Sequence, residues 1–142
     1  MFTYQTKVKL HDTDAAGVLF FANQFKMVHD AYESLLEAIG FGFADLIRHK
    51  DFSLPIVHAE SDYKAPLFVG DLIEIQVRIE KVGQTSVTFS FTLLNPKQQA
   101  VGTARTVHVA VSKTTRQKIL LPADLRAKLE KLHRQDNKSA AR

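Results

Sequence analysis

The spacing of apolar residues changes once from a period of two to about 3.6 and then back, and this order constrains the fold most. Residues 3–11 alternate between polar and apolar side chains, which predicts a strand. Apolar residues at helical spacing then run from Phe25 to Ile39, which predicts a long buried helix that Asn23 caps and Gly40 ends. Alternating patterns follow and predict four strands, at residues 55–63, 71–82, 86–94 and 100–112.

These patterns together predict a fold class. A short helix is expected at Phe43–His49, and a final helix is expected from Pro122 to about His133. Strands that follow one another along the chain pair as hairpins, so an isolated apolar helix is buried against their sheet. The predicted fold is therefore α+β, with an antiparallel sheet wrapped around a long central helix. The sequence lacks alternating strand–helix units and glycine-rich phosphate motifs, which argues against a doubly wound nucleotide fold.

Composition indicates a single domain and argues against a nucleic-acid partner. The 142 residues, 45% of them hydrophobic, suffice for one domain with a proper core. We expect this domain to span residues 1–135 and residues 136–142 to form a disordered tail. Of the net charge of +4, +3 lies in residues 122–142, with six Lys or Arg against three Asp or Glu. A basic end of this kind is more typical of a solvated terminus than of a nucleic-acid-binding arm.

Residue types narrow the chemistry and the location. The sequence has no cysteine, so a disulfide framework, a thiol nucleophile and a thiolate metal site are excluded. The six histidines form no HxH or HxxxH cluster, and no GxSxG motif is present, so we expect no metal, no other cofactor and no serine-hydrolase triad. No apolar run approaches a membrane span, and residues 1–10 lack the apolar block of a signal peptide. A cytoplasmic location is therefore expected.

Two carboxylates precede the predicted central helix. Asp12 and Asp14 stand two residues apart in the segment LHDTDAAGVLFFANQF, residues 10–25. The first-turn amides of a helix have no intrahelical partner and can hold a carbonyl oxygen that develops negative charge. A carboxylate placed beside such amides can attack an acyl carbon or activate a water molecule. The pattern alone leaves an alternative open, in which both carboxylates only accept hydrogen bonds from turn amides.

Two segments carry a resemblance to a known family. Residues 11–41 read HDTDAAGVLFFANQFKMVHDAYESLLEAIGF, and residues 63–71 read YKAPLFVGD. The first resembles the signature of the hotdog-fold acyl-CoA thioesterases of the 4-hydroxybenzoyl-CoA thioesterase type, in which an Asp-x-Asp-x-x-Gly segment leads into the central helix. The second matches the family's Pro-x-x-x-Gly-Asp segment between strands. The resemblance extends to about residue 133 and implies a hotdog fold and hydrolysis of an acyl-CoA thioester.

The resemblance also implies roles for individual residues. Asp14 takes the position of the catalytic aspartate, which acts as nucleophile or general base. The backbone amide of Phe21 takes the position that polarises the thioester oxygen, and Gly17 lies where the backbone bends close to the thioester. Related enzymes often carry Tyr or His in place of Phe21, so Phe20 and Phe21 favour a flat, apolar or aromatic acyl group.

Substrate, assembly and alternatives follow from the same resemblance. The whole sequence is most similar to the 1,4-dihydroxy-2-naphthoyl-CoA thioesterases of the phylloquinone (vitamin K1) pathway, and hotdog domains pair edge to edge with active sites at the interface. We therefore expect a homo-oligomer, a dimer or a tetramer formed as a dimer of dimers. Lys113, Arg116 and Lys118 form the best cluster for the CoA phosphates, unless they are only a solvated basic loop.

Three other functions stay open for this fold. One is a broad-specificity acyl-CoA thioesterase, another is a hydratase or dehydratase, and the third is a non-catalytic domain that binds CoA esters. An aspartate at position 14 argues against the hydratase, because that chemistry needs an acid–base pair beside the acyl β-carbon.

Overall fold

The structure, a computed structural model, describes residues 1–140. Its helices are α1 (Asn23–Ala38), α2 (Phe43–His49) and α3 (Ala123–Ala140). Its strands are β1 (Phe2–Lys7), β2 (Phe52–Ser53), β3 (Ile56–Tyr63), β4 (Leu72–Val82), β5 (Ser86–Leu94), β6 (Ala100–Val109) and β7 (Val111–Ser112). A short 3₁₀ turn covers Leu10–Asp12.

Five strands form one antiparallel sheet in the order β1-β4-β5-β6-β3, and β2 pairs with β7 separately. Strands β4, β5 and β6 are joined as consecutive hairpins, as the alternating patterns predict. Strand β3 lies at one edge, where Ala59 pairs with Thr106 and Tyr63 pairs with Gly102. The predicted antiparallel sheet is therefore confirmed.

The long helix α1 packs against one face of this sheet. Burial alternates along β4 and β5, so every second side chain enters the core. The largest core side chains from the sheet are Ile73, Ile75, Phe89, Phe91 and Leu93, and those from α1 are Met27, Val28, Ala31, Tyr32, Leu35 and Leu36. Each large apolar side chain buried in this way contributes about 1.5–3 kcal/mol relative to exposure. The sheet on a central helix is the α+β architecture that the patterns predict.

Strand β3 is the exposed edge of the sheet. Seven of its eight residues are exposed, although Ile56, Ala59 and Tyr63 share the face on which α1 packs. Ile56 is 43% exposed and Val57 is 59% exposed, so apolar side chains lie uncovered along this edge. The edge therefore has both free backbone groups and an apolar face available for a partner strand.

Helix α3 covers the edge of the sheet opposite β3, where β4 extends beyond the end of β1. Strand β1 pairs with residues 72–77 of β4, so Ile79 has no strand partner on that side. Asp136 Oδ2 accepts a hydrogen bond from the Ile79 amide at 3.1 Å, and His133 Nδ1 donates to the Ile79 carbonyl at 2.8 Å. The N-terminal ammonium of Met1 lies 3.2 Å from Asp136 Oδ1.

These contacts explain why α3 is longer than the sequence predicts. The helix continues from the expected end near His133 to Ala140, because the buried Asp136 fastens its last turns to β4. Residues 136–140 of the expected tail are therefore helical, and residues 141–142 lie outside the described residues. No helix among residues 1–140 is both long and apolar enough to cross a membrane.

Two strand ends also differ from the prediction. The first strand ends at Lys7 rather than at residue 11, because the chain enters the 3₁₀ turn at Leu10–Asp12. The last long strand is interrupted at Ala110, whose amide donates to the Thr85 carbonyl, so β7 is separate from β6.

Candidate active site

Asp12 is committed to the fold. It is 4% exposed, and its Oδ2 accepts a hydrogen bond from the Lys9 amide at 2.9 Å. Its Oδ1 lies 3.5 Å from Lys26 Nζ and 3.6 Å from His11 Nε2. Burial raises the pKa of the neighbouring Asp30, and the Lys26 ammonium acts in the opposite direction. Both Asp12 oxygens are thus engaged, which agrees with its predicted role in the turn.

The main-chain carbonyl of Asp12 fixes the start of α1. It accepts hydrogen bonds from the Phe20 amide at 3.0 Å and from Asn23 Nδ2 at 2.9 Å. The prediction that Asn23 caps the helix is therefore wrong, since its side chain bonds to Asp12. The N-cap is Ala22, whose side chain makes no cap hydrogen bond.

Asp14 stands in an exposed turn with one oxygen free. Its Oδ1 accepts from the Ala16 amide at 2.9 Å and lies 3.4 Å from the Val18 amide. Its backbone N–H donates to the Val18 carbonyl at 2.9 Å. Oδ2 accepts no hydrogen bond from residues 1–140. The turn that holds one oxygen therefore leaves the other available for chemistry.

Gly17 closes the turn, and the segment around Gly70 supports it. Gly17 has φ +75° and Gly70 has φ +91°, values that favour glycine. The Gly17 carbonyl accepts a hydrogen bond from the Val69 amide at 3.1 Å. Asp71 Oδ2 accepts from the Phe68 amide at 3.0 Å and so shapes this supporting turn. The two segments that carry the family resemblance therefore lie against each other.

The Phe21 amide is free at the start of α1. The Phe20 amide is used by Asp12, but the N–H groups of Phe21 and Ala22 donate to no acceptor within residues 1–140. The first turn contains no acidic side chain that would compete for these donors. These two amides belong to the turn that leads into α1, at the positive end of the helix dipole, and suit an oxygen that gains negative charge.

A cavity of ≈400 Å³ opens beside Phe21. Its walls come from the end of the Asp14 turn, the first turn of α1 and the chain after β3: Val18, Leu19, Phe21, Gln24, Tyr63, Lys64, Ala65, Pro66 and Leu67. Phe20 and Phe21 are 43% and 64% exposed, and their ring centroids lie 4.8 Å apart. Only Phe21 of this pair lines the cavity, so Phe20 is a neighbour of its wall.

A second, smaller cavity of ≈220 Å³ lies further along α1. The buried Tyr32 lines it, and the hydroxyl of Tyr32 has no hydrogen-bond partner in the described chain. His108 stacks on Tyr32 with ring centroids 4.2 Å apart. Burial raises the pKa of Tyr32 and lowers the pKa of His108 to about 4, so both rings are neutral at pH 7. This cavity is also lined by Phe25, Val28, His29, Ile56, Ala59, Phe91 and Thr106.

Sequence reasoning missed two polar residues at this site. Tyr63 donates its hydroxyl to the Phe21 carbonyl at 2.8 Å. The buried Gln24 donates through Nε2 to Ser61 Oγ at 2.7 Å, and its amide lies so close to Gly102 that a Cβ there would be 2.7 Å from Nε2. A glycine inside a strand often marks such a close approach, so Gly102 was the available signal.

The predicted CoA-binding cluster is only partly available. Lys113 Nζ donates to the carbonyls of Leu46, Ile47 and Lys50 at 2.7, 3.0 and 2.8 Å, which uses all three of its donors at the end of α2. We therefore correct its predicted role, because this ammonium is a helix cap. Arg116 and Lys118 are exposed and follow β7, which pairs with β2 directly before the beginning of β3. The Asp14 turn contacts Leu67, which lies beyond the opposite end of β3.

A metal-binding arrangement is not found at this site. Across residues 1–140, no group of three or more His, Asp or Glu side chains is placed to hold a metal ion. The groups that the described residues leave without a hydrogen-bond partner here are Asp14 Oδ2 and the amides of Phe21 and Ala22.

Comparison with known proteins identifies the family. Residues 8–129 match the model of the thioesterase-like superfamily. A 1,4-dihydroxy-2-naphthoyl-CoA hydrolase from Rippkaea orientalis is 38% identical over 124 residues, which cover 86% of this chain and 90% of that protein. The crystal structure of a 1,4-dihydroxy-2-naphthoyl-CoA thioesterase from Synechocystis has a TM-score of 0.85 and 32% identity, covering 90% of this chain and 94% of that one.

A third relative carries a different acyl group in its name. The structure of the gentisyl-coenzyme A thioesterase BH1999 has a TM-score of 0.79 and 27% identity, covering 87% of this chain and 98% of that one. The predicted hotdog fold is confirmed by these matches. The chain belongs to the thioesterase-like superfamily.

Proposed function

We propose that this protein hydrolyses the thioester of an aromatic acyl-CoA, 1,4-dihydroxy-2-naphthoyl-CoA, to the free acid and CoA. One observation carries the proposal. Val18 and Phe21 line the same cavity, and Val18 is hydrogen-bonded to Asp14 on both its amide and its carbonyl. Asp14 does not itself line the cavity, but its hydrogen bonds to Val18 hold its turn against the cavity wall that Phe21 also forms.

Asp14 and Phe21 divide the chemistry between them. Asp14 Oδ2 either attacks the thioester carbonyl carbon or takes a proton from the water that does so. The carbonyl oxygen gains negative charge in both cases, and the Phe21 amide donates a hydrogen bond to it. The C–S bond then breaks, and CoA leaves as the thiolate and takes up a proton. In the general-base route the attacking water supplies one oxygen of the product carboxyl group. In the nucleophilic route a water molecule then hydrolyses the acyl–Asp14 anhydride, which releases the acid and restores the Asp14 carboxylate. No metal or other cofactor takes part in these steps.

The acyl group is inferred from the relatives and from the cavity wall. Proteins 38% and 32% identical to this chain are named for 1,4-dihydroxy-2-naphthoyl-CoA. The exposed Phe21 ring and the apolar wall beside it suit a flat aromatic acyl group. We place the reaction in phylloquinone (vitamin K1) biosynthesis on the same grounds. A broader acyl-CoA specificity is the second candidate, favoured by the resemblance to a gentisyl-coenzyme A thioesterase.

The active unit in this proposal is a homodimer paired through β3. The exposed β3 edge, with its apolar Ile56 and Val57, supports this assembly. Two copies of β3 related by a two-fold axis run antiparallel, so the beginning of one lies beside the end of the other. Further pairing of dimers into a tetramer stays a prediction, as does the cytoplasmic location.

The two-fold arrangement gives Arg116 and Lys118 a place in the site. Eight residues of strand span about 23 Å, so within one chain these cations lie a whole strand away from the Asp14 turn. In the paired arrangement they follow the beginning of the partner strand, next to the Asp14 turn. We therefore assign the CoA phosphates of one site to the partner's Arg116 and the partner's Lys118, which are free to bind them.

Thiol release from a panel of acyl-CoAs tests the proposal. The panel contains dihydroxynaphthoyl-, 4-hydroxybenzoyl-, palmitoyl- and acetyl-CoA. We expect kcat/KM to be about 100-fold higher for dihydroxynaphthoyl-CoA than for acetyl-CoA, because ring contacts and apolar burial add to transition-state binding. Palmitoyl- or acetyl-CoA as the best substrate would contradict the aromatic assignment. No thiol release from any member would favour a CoA-ester-binding domain.

Mixing two impaired variants, assayed at an acyl-CoA concentration well below the wild-type KM, tests the shared site. Asp14→Asn removes the carboxylate from one chain, and Arg116→Glu removes the cation from the other. If each site combines Asp14 of one chain with Arg116 of its partner, half of the mixed dimers are heterodimers with one intact site. Activity should then return to about a quarter of the wild-type value. No recovery after mixing, with heterodimers present by mass spectrometry, would place both residues in one chain's site.

A further inference from the structure

Tyr63 connects the end of β3 to the start of α1. Its hydroxyl donates to the Phe21 carbonyl at 2.8 Å across 42 positions of sequence. Its ring meets the Phe21 ring edge-on, with centroids 6.5 Å apart and an interplanar angle of 75°. Both rings line the ≈400 Å³ cavity. A tyrosine that is 49% exposed is thus held by two contacts to one residue.

These contacts fix the direction of the free amides. A peptide group is planar, so a hydrogen bond to its carbonyl also sets where its N–H points. The Phe20 carbonyl accepts from the Asn23 amide at 2.9 Å, which orients the N–H of Phe21. The Phe21 carbonyl accepts from Tyr63 at 2.8 Å and from the Gln24 amide at 3.3 Å, which orients the N–H of Ala22. The Tyr63 hydroxyl makes the shorter of the two bonds to that carbonyl.

Hydrogen bonds fix the end of β3 that carries Tyr63. The Gln24 side chain donates to Ser61 Oγ at 2.7 Å and to the Asp62 carbonyl at 3.1 Å. Ser61 Oγ in turn donates to the Thr103 carbonyl at 2.9 Å. The last residues of β3 and the first turn of α1 are therefore joined by partly buried hydrogen bonds immediately before Tyr63. A donor fixed in this way keeps the peptide that it binds in one orientation while charge develops on the thioester oxygen.

We propose that Tyr63 is a positioning residue, whose hydroxyl holds the Phe21–Ala22 peptide so that the Ala22 amide, beside the Phe21 amide, is oriented to receive the thioester oxygen. This inference rests on the proposed thioesterase function. The hydroxyl acts through the Phe21 peptide and not on the substrate carbonyl, while the ring forms part of the cavity wall. Loss of the hydroxyl should therefore affect the chemical step more than substrate binding.

The first test is Tyr63→Phe, which keeps the ring and removes the hydrogen bond. We expect kcat to fall about 3- to 10-fold, the range of one hydrogen bond, while KM stays within about twofold of wild type. Tyr63→Leu removes the ring as well and should also raise KM. Tyr4→Phe is the matched control, since it removes a tyrosine hydroxyl from β1 and should leave kcat unchanged.

A spectroscopic measurement separates positioning from general stability. In the slow Asp14→Asn background, an acyl-CoA with a ¹³C-labelled thioester carbonyl can be bound and its stretch recorded by infrared difference spectroscopy. Hydrogen bonds from oriented amides lower this frequency on binding. Adding Tyr63→Phe should reduce that lowering, and the thermal unfolding midpoint should remain that of the parent variant.

The possible outcomes distinguish this inference from the proposed function. A lower kcat together with a reduced carbonyl shift supports the role of Tyr63. Hydrolysis at the wild-type rate with an unchanged carbonyl frequency would reject Tyr63 as a positioning residue and leave the thioesterase intact. A wild-type protein that hydrolyses no acyl-CoA would reject both.

Discussion

The turn around Asp12 and the turn around Asp14 lie side by side but use their carboxylates in opposite ways. Asp12 is buried, and both of its oxygens face hydrogen-bond or charge partners. Asp14 is exposed and keeps one oxygen free. The buried turn anchors α1 through the Asp12 carbonyl, so the exposed turn can present its carboxylate from a fixed base. Catalysis requires a functional group that is free to react and is held on a rigid support.

The same contrast recurs between Lys113 and Arg116. The Lys113 ammonium donates to three carbonyls at the C-terminal end of α2. Arg116, in contrast, lies in an exposed loop with φ +59°. Charge and proximity in sequence do not separate these two cations. The number of donors already in use does separate them, and it gives one a structural role and leaves the other free.

The largest expected effect concerns Asp14, the carboxylate with a free oxygen. Asp14→Asn keeps an oxygen for the turn amides but removes the base or nucleophile, so kcat should fall at least about 100-fold. Steady-state thiol release measures kcat, and circular dichroism checks that the fold is intact. Turnover near the wild-type rate would show that Asp14 is not the catalytic group.

The reciprocal change should affect stability instead. Asp12→Asn weakens charge-assisted bonds to the Lys9 amide and to Lys26, so the free energy of unfolding should fall by about 1.5–3 kcal/mol. Urea denaturation measures this loss, and kcat of the folded variant should fall less than about tenfold. If kcat falls as much as in Asp14→Asn, the two carboxylates form one catalytic network and the contrast fails.

Acid should reveal another buried group that is committed to the fold. Burial lowers the pKa of His108 to about 4 from 6.5, so on acidification the unfolded chain takes up a proton first. Stability from this group is complete above pH 6.5 and is lost as the pH falls towards 4. Between pH 7 and pH 5 the free energy of unfolding should fall by about 1–2 kcal/mol. His108→Asn should remove this part of the pH dependence, and an unchanged slope would contradict the assignment.

The paired cations give a smaller effect. Arg116→Ala should raise KM for the acyl-CoA about 3- to 10-fold, and the difference should shrink at high salt because exposed charges are screened. Lys113→Met should leave KM unchanged and lower stability, because its donors serve α2. Measurements of KM at two salt concentrations compare the two variants. A larger KM effect from Lys113→Met would reverse their roles.

The last prediction is that removal of metal ions leaves kcat unchanged. Hydrolysis by one carboxylate and backbone amides should survive exhaustive treatment with EDTA. The measurement is kcat before and after dialysis against the chelator. Activity that disappears and returns with Zn²⁺ or Mg²⁺ would overturn the mechanism.

Sequence periodicity predicts the elements well where burial follows a simple repeat. The alternating residues of β4 and β5 and the helical spacing in α1 report directly which face is buried, so their positions agree closely with the structure. The length of α3 is not predictable in this way. Its end depends on Asp136, which bonds to Ile79 across 57 positions, and no local pattern carries that information.

The site shows the same limit at single residues. The sequence shows two carboxylates, Asp12 and Asp14, just before the central helix, but only the fold shows which of them is buried. Asparagine is a residue type that often caps helices, yet the Asn23 side-chain amide donates to the Asp12 carbonyl at 2.9 Å and the N-cap is Ala22. Tyr63 is missed because its partner is a main-chain carbonyl, which has no signature in sequence.

The close approach of Gln24 to Gly102 restricts the order in which this sequence can change over evolution. A side chain at position 102 would strike the pinned amide of Gln24, and loss of Gln24 would leave Ser61 and the Asp62 carbonyl without their donor. Neither residue can therefore be exchanged first at low cost. Relatives should carry glycine at 102 together with glutamine at 24, or differ at both, and Gly102→Ala should be better tolerated in a Gln24→Ala background than in the wild type.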